Sequence, residues 1–482
     1  AGMHVQEGYC GFMTTAHSAE DFQRIGDIME SVVDQLQEVG ILEGQRPGPA
    51  VPPAFGTAPA GTMPEPRQIP LTAEQHEIWM TAQLGDVAST SFNEGMSVRL
   101  RGALDADILA RSLNALVGRH DALRLLFARD GESFEVAEPY TVVLPLHDLR
   151  GSDDPALALR ALVDEEARIP FNLVDGPPFR AFLARTADDE HHLVLNAHHI
   201  VCDGWSYNVL LSDLASVYSA LATGNTPDLP PAPSFARHAL ARAERPASAE
   251  VDAYWRAQFE TPPSLPELPA DRPRGGRRTF NGATYSTRLG ADRMKQFRAA
   301  GARHGCTLFT TLFAGLHMVL GRLSGASDLV IGVPTGGQAL LENPGLIGHC
   351  VNFLPIRAGF DPKAPAAAHL ASVRDQVLAA FDHQDTTYGA LVQSLNIERS
   401  INRLPLTEVQ FNLEKVAEGM SIDGLEIAVT PNPKTGVNFD LFFNMIESRD
   451  GLRIDVDYNS DLYDPETIAR WIGHLDALLQ AV

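Results

Sequence analysis

Cysteine is scarce, with four in 482 residues: Cys10, Cys202, Cys306 and Cys350. They are too few and too scattered for a disulfide framework, and no C-x-x-C pair offers metal-ligand spacing. A reducing cytoplasm is therefore the expected setting, and no metal site is expected. Positive charge is also short. Lys and Arg number 38 against 61 Asp and Glu, a net charge of −23, which argues against sequence-independent binding to nucleic acid or to an anionic membrane surface. Long apolar runs are missing as well. None reaches the roughly 18 residues that suggest a membrane span, and the N-terminus has no basic segment leading into an apolar signal core. No nucleic acid, no membrane and no export are expected. What remains is globular material, 44% hydrophobic and 21% charged, at a length that suggests two or three domain-sized units. The chain opens at Ala1 in mid-pattern, so it is expected to be a piece excised from something longer.

The first segment carries an amphipathic pattern. Phe22, Ile25, Ile28, Met29, Val32, Val33, Leu36 and Val39 recur at helical spacing and predict a helix over Asp21 to Val39. Ser18 with Asp21 supplies a capping-box-like start, and Gly40 a stop. Residues 44–66 then hold seven prolines without periodicity; such a stretch buries no core and reads as an interdomain linker. From Ile69 the texture becomes α+β. Asp105 to Val117 reads as a helix, and Leu123 to Phe127 and Ser133 to Val136 flank an Asp130-Gly131 turn, which predicts a hairpin. His192 to Ala197 alternates as a strand. Two Pro-rich stretches, Pro227 to Pro233 and Pro262 to Pro273, bracket a helix ending near Phe259 and mark the seam between two lobes. Beyond it, helices are expected at Ala291 to His304 and Leu308 to Leu323. Strands are expected at Leu329 to Val333, Leu441 to Ile446 and Leu452 to Tyr458. No short internal repeat is visible, although the two halves share a similar mix of helix and strand.

Chemistry concentrates in His198-His199-Ile200-Val201-Cys202-Asp203-Gly204-Trp205-Ser206, at the end of the predicted strand. A histidine in a turn with an acid nearby can act as general base or hold a developing charge, while Gly204 lets a substrate come close. Adjacent strand residues point to opposite faces, so His198 and His199 do not chelate one ion together. The bland reading is a structural histidine pair ending a strand, with Asp203 capping a turn.

The string His-His-x-x-x-Asp-Gly-Trp-Ser resembles the core motif of nonribosomal peptide synthetase condensation domains, and further segments follow in that family's order. Leu71-Thr72-Ala73-Glu74-Gln75 through Ile78-Trp79 resembles its opening motif, and Arg119-His120-Asp121-Ala122-Leu123-Arg124 through Phe127 its second. Tyr254-Trp255 with Leu268-Pro269-Ala270-Asp271-Arg272-Pro273 is similar to the linker region, and Ile331-Gly332-Val333-Pro334 to the strand before its floor loop. Ile347-Gly348 with Val351-Asn352-Phe353-Leu354-Pro355-Ile356-Arg357, His383-Gln384-Asp385, and Arg403-Leu404-Pro405-Leu406 through Val409-Gln410-Phe411-Asn412 complete the set. There are departures. His76-Glu77 replace a usual basic residue, and Thr386-Thr387-Tyr388 replace a usual Pro-Phe pair. These, with Val409-Gln410-Phe411-Asn412-Leu413, resemble the subgroup found downstream of polyketide synthase modules. Gly2-Met3-His4-Val5 through Gly11-Phe12-Met13-Thr14-Thr15-Ala16-His17-Ser18 and the helix after it resemble the end of a class III aminotransferase domain, without its pyridoxal-binding lysine region.

The resemblance implies a layout. Residues 1–43 are an aminotransferase-like C-terminal segment, 44–66 the linker, 67–235 an N-terminal lobe and 236–482 a C-terminal lobe. The fold implied is chloramphenicol acetyltransferase-like, two lobes forming a V-shaped pseudo-dimer around a central tunnel. The activity implied is amide bond formation between a carrier-bound acyl donor, polyketide-derived with β-amino chains included, and a carrier-bound aminoacyl acceptor. The partners implied are an upstream acyl carrier protein, a downstream peptidyl carrier protein, and adjacent adenylation and polyketide synthase domains. No cofactor is expected on the domain itself; substrates arrive on 4'-phosphopantetheine arms. By matched position, His199 is the catalytic candidate and His198 its structural neighbour. Asp203 is expected to be a structural anion paired to an arginine, with Arg124 assigned as that partner. Gly204 is expected to leave room for the acceptor and to offer its backbone N–H near the thioester oxygen, and Asn352 to position polar groups from the second lobe. Trp205, Ser206 and His349 are the candidate substrate contacts, with Trp205 weighted toward the core. Ser206 lacks a G-x-S-x-G elbow, so it is not a nucleophile. His317 and His383 are expected to be structural, and Arg272, Arg274, Arg277 and Arg278 to form a solvated turn. The two intact histidines weigh against a heterocyclising relative, which carries aspartates there. Ester formation and a non-catalytic recruitment platform remain as alternatives.

Overall fold

The computed structural model describes residues 68–481, apart from 246, 247, 264, 341–343, 396, 398, 399 and 416–420. The chain divides into two units, Ala1–Pro66 and Arg67–Val482. The aminotransferase-like segment, its expected helix and the Pro-rich linker thus lie outside the described residues.

In the larger unit, alternation decides the sheets. Leu441, Phe443 and Met445 are buried while Phe442 and Asn444 are half-buried on the other face, and Leu452, Ile454 and Val456 alternate with Arg453, Asp455 and Asp457. One face of each strand therefore joins the apolar core, and the other carries polar side chains. These strands belong to a six-stranded sheet in the order Val351–Gly359, Asp328–Gly336, Val409–Lys415, Leu441–Ser448, Gly451–Asn459, Gly282–Gly290. Val409–Lys415 runs parallel to both neighbours; every other pairing is antiparallel. Helices Leu308–Ser324 and Pro465–Ala481 cover the apolar face. The first of these is bounded by a Thr307–Thr310 capping box and by Gly325, whose φ of 70° is left-handed and suits a residue without Cβ. Phe313, Phe411, Phe443 and Trp471 are nearly fully buried between these layers, and each contributes about 2 kcal/mol or more of burial free energy.

The second sheet has five strands, ordered Leu425–Pro431, Asn93–Gly102, Glu190–His198, Phe179–Ala187, Leu146–Asp148. Its first strand comes from the far end of the chain and pairs antiparallel with Asn93–Gly102, Ile427 opposite Leu100. The helices Ala106–Arg119 and Gly204–Ala222 pack with it around Leu113, Leu116, Leu210 and Leu214. This core also takes in Phe235, Ala239, Leu346, Ile347, Cys350 and Ile422, so later chain segments complete it. The expected hairpin is present as Leu125–Phe127 and Ser133–Val136, extended by Ile69–Pro70 into a three-stranded sheet. No helix among the described residues is long and apolar enough to cross a membrane.

Candidate functional site

His198 is the last residue of its strand, and His199 opens the turn that leads to the helix at Gly204. The two side chains part as strand geometry demands. His198 turns inward against Phe92 and Phe171, with ring centroids 6.0 and 6.2 Å away. Its Nδ1 accepts the Ile200 N–H at 3.3 Å, and burial, helped by His199, pushes its pKa down to about 3. It is held neutral in the core. His199 remains partly open, its side chain 23% exposed, with its backbone N–H donating to Phe92 O at 2.8 Å. Its Nε2 stands 3.8 Å from Glu94 Oε1, and its ring meets His349 edge-on at 4.8 Å. His349 is buried, and burial followed by the two neighbouring histidines holds its pKa well below the ordinary value.

The loop beneath His199 is braced from several directions. Gln75, fully buried in the opening motif, donates to Ile200 O at 3.0 Å. Asp203 is fully buried and caps the helix through the Ser206 N–H at 2.8 Å and hydroxyl at 2.7 Å. Its other oxygen receives the Gln338 amide at 2.8 Å and the Cys350 N–H at 3.1 Å. The arginine expected beside Asp203 is not there. Arg124 donates instead to Val117 O at 2.9 Å and to Ala137 O, closing the turn between its own helix and hairpin. The expectation fails because Asp203 satisfies its lone pairs with neutral donors and a helix N-terminus, which also favour an anion.

Ser206 is corrected likewise. It is fully buried, and its hydroxyl donates to Asp203 while accepting the Gly348 N–H at 3.0 Å, so it is sealed from a substrate. Trp205 is not core: it is 38% exposed, and its indole donates to Pro344 O at 2.8 Å. Asn352 donates its amide to Gln384 O at 2.9 Å and to Thr386 O, which commits it to holding the 383–387 loop rather than a ligand. Gly204 is exposed, and a Cβ there would meet nothing within 4 Å, so the start of the motif helix is uncrowded. The arginines expected in a solvated turn are engaged: Arg272 pairs with Asp464 at 2.7 Å, and Arg274 with Glu408 and Asp440. They border a cavity of about 370 Å³. His199 is not among its lining residues.

Sequence reading missed Glu94 and Lys434. Lys434 Nζ donates to Glu94 Oε1 at 2.6 Å and to Asn93 O at 3.0 Å. Burial alone would raise the Glu94 carboxyl, but Lys434 and His199 outweigh it and hold it below the usual carboxylate value. The two residues are far apart in sequence and share no motif. Only the pairing of Asn93 with His198, which places Glu94 beside the histidine turn, reveals the first. Among the described residues, no group of three His, Cys, Asp or Glu side chains could hold a metal ion.

Residues 65–482 match the family model described as a condensation domain. The chain is 32% identical to malpinin synthetase of Mortierella alpina over 86% of its own length and 5% of that protein. It is 33% identical to phosphinothricin tripeptide synthetase PhsC of Streptomyces viridochromogenes over 92% of its length and 41% of that protein. It therefore spans a minor part of either relative. Among solved structures, the X-domain from teicoplanin biosynthesis superposes with a TM-score of 0.76 at 26% identity, covering 88% of this chain and 96% of that one. The first condensation domain of the CDA synthetase superposes at 0.75 and 24% identity, covering 86% and 96%.

Proposed function

The chain belongs to the condensation-domain family, and from that premise we propose that it joins a carrier-bound acyl thioester to a carrier-bound aminoacyl group through an amide bond, with His199 at the reacting atoms. The observation that carries this reading is the placement of His199. It is the one histidine of the motif that stays partly open, on a braced turn, while His198 is sealed away neutral.

The chemistry needs little more than positioning. An α-amine titrates near pH 8, so an appreciable fraction is already neutral at physiological pH. Its lone pair attacks the thioester carbon, the C–N bond forms and the C–S bond breaks. The proton shed by nitrogen passes to His199 and then to the departing thiolate. We assign the Gly204 N–H, at the helix start, to favouring negative charge on the thioester oxygen. We assign the donor to the polyketide-derived class, β-amino chains included, delivered by an upstream acyl carrier protein within a cytoplasmic hybrid synthase. Support for that assignment comes from Thr386-Thr387-Tyr388, from Val409-Gln410-Phe411-Asn412-Leu413 and from the aminotransferase-like segment at 1–43. A downstream peptidyl carrier protein, with its adenylation domain, supplies the acceptor.

The test loads an upstream carrier with a β-amino or fatty acyl thioester and a downstream carrier with an aminoacyl group, then follows the downstream carrier by intact-protein mass spectrometry. Wild type is expected to add the donor acyl mass, and His199→Ala to lose most or all of that gain. Carriers that bind without transfer would favour the recruitment-platform reading instead.

A further inference from the structure

Between His199 Nε2 and Glu94 Oε1 lies a gap of 3.8 Å, too long for a hydrogen bond and suited to a third polar atom that bonds to both. A nitrogen about 2.9 Å from each fits that span. The carboxylate on its far side is held in place. Glu94 O accepts the Tyr207 hydroxyl at 2.6 Å, which ties its strand to the motif helix. The segment 432–434 packs so closely on that strand that a Cβ on Gly95 would lie 2.7 Å from the Asn432 side chain. Lys434 is therefore fixed against Glu94 from the far part of the chain, and its backbone N–H is anchored at 2.9 Å on Thr284, whose hydroxyl bonds Asp457 at 2.5 Å.

Lys434 interacts with two carboxylates, Glu94 and Asp457, so with both ionised the trio carries one negative charge, and its Glu94 end faces His199. Lys434 occupies one of about four lone-pair positions on the Glu94 carboxylate, leaving capacity for another donor. A carboxylate in partly desolvated surroundings forms a strong charge-assisted bond to an ammonium and gains much less from a neutral hydroxyl.

Resting on the proposed amide-forming function, we infer that Glu94 is the acceptor-recognising residue: with His199 it receives the α-ammonium of the aminoacyl group and so selects amine acceptors over alcohol acceptors. Lys434 keeps the carboxylate ionised and aimed. The ammonium gives up one proton to solvent before attack, and the second leaves through His199 as above.

The test measures calorimetric binding of two small acceptor mimics, glycyl-pantetheine amide and glycolyl-pantetheine amide, to the full chain and to its Glu94→Gln and Glu94→Asp variants, with thermal midpoints checked for each. Wild type is expected to prefer the amine by about tenfold, Glu94→Gln to lose that preference, and Glu94→Asp to retain part of it. A Glu94→Gln variant that keeps the full preference overturns the inference, as does a wild type that binds both mimics equally or neither at millimolar concentration. The carrier-transfer assay separates the two readings. A wild type that prefers the amine mimic but transfers no acyl group refutes the amide-forming function and leaves the recognition role of Glu94 standing.

Discussion

The carboxylate of Asp203 takes the side-chain amide of Gln338 at 2.8 Å, joining the start of the motif helix to a segment 135 residues away. Together with the Cys350 N–H and the Ser206 cap, it bolts the histidine turn to the later half of the chain. Asp203→Asn should therefore couple to Gln338→Leu by about 1 kcal/mol or more in a urea-unfolding double-mutant cycle. With Arg124→Met, whose guanidinium serves local carbonyls, it should be additive within about 0.5 kcal/mol. Asp203→Ala, which removes a cap and leaves buried donors unmatched, should cost about 3 kcal/mol. Strong coupling of Asp203 to Arg124 would reinstate the arginine pairing.

What was legible in the sequence divides along physical lines. The helix at Leu308–Ser324, the hairpin at Leu125–Phe127 and Ser133–Val136, and the strand ending at His198 announce themselves through periodicity and turn chemistry. That the side chains of His198 and His199 part to different surroundings follows from strand alternation. Non-local partners were not legible. That Leu425–Pro431 completes the sheet of Asn93–Gly102, and that Lys434 then reaches Glu94, depends on a crossover no local pattern encodes. The Arg124 assignment failed for the same reason: a buried carboxylate needs donors, and sequence does not say which ones folding brings near.

The departures at Glu77 and Thr386-Thr387-Tyr388 lie far apart in sequence, yet Glu77 Oε1 accepts the Gly389 N–H at 2.6 Å. Burial is the main cause that raises the Glu77 pKa to about 7, opposed by that bond and reinforced by Glu74. A carboxyl with its folded pKa raised favours the folded state most below its unfolded value near 4.5, and that contribution is lost as pH rises toward 7. Glu77→Gln keeps the acceptor and removes the ionisation. Its thermal midpoint relative to wild type should therefore rise between pH 4.5 and 7 and level off above. A difference that stays flat across this range would show that Glu77 is not a displaced titrating group.

His349 meets the His199 ring edge-on at 4.8 Å and 88°. Among the described residues its Nδ1 has no hydrogen-bond partner, and its pKa lies well below the ordinary value, so it acts as a neutral, ring-shaped wall. If its work is to hold the His199 ring in place, shape matters more than nitrogen. His349→Ala opens a void beside His199 and frees the ring, and kcat/KM for acyl transfer should fall about tenfold, because a misplaced ring weakens attack as well as the hold on the acceptor amine. His349→Phe preserves the edge contact and should recover most of that loss. A Phe variant as slow as the Ala variant would instead assign the imidazole nitrogens a polar role, and the wall reading would have to be given up.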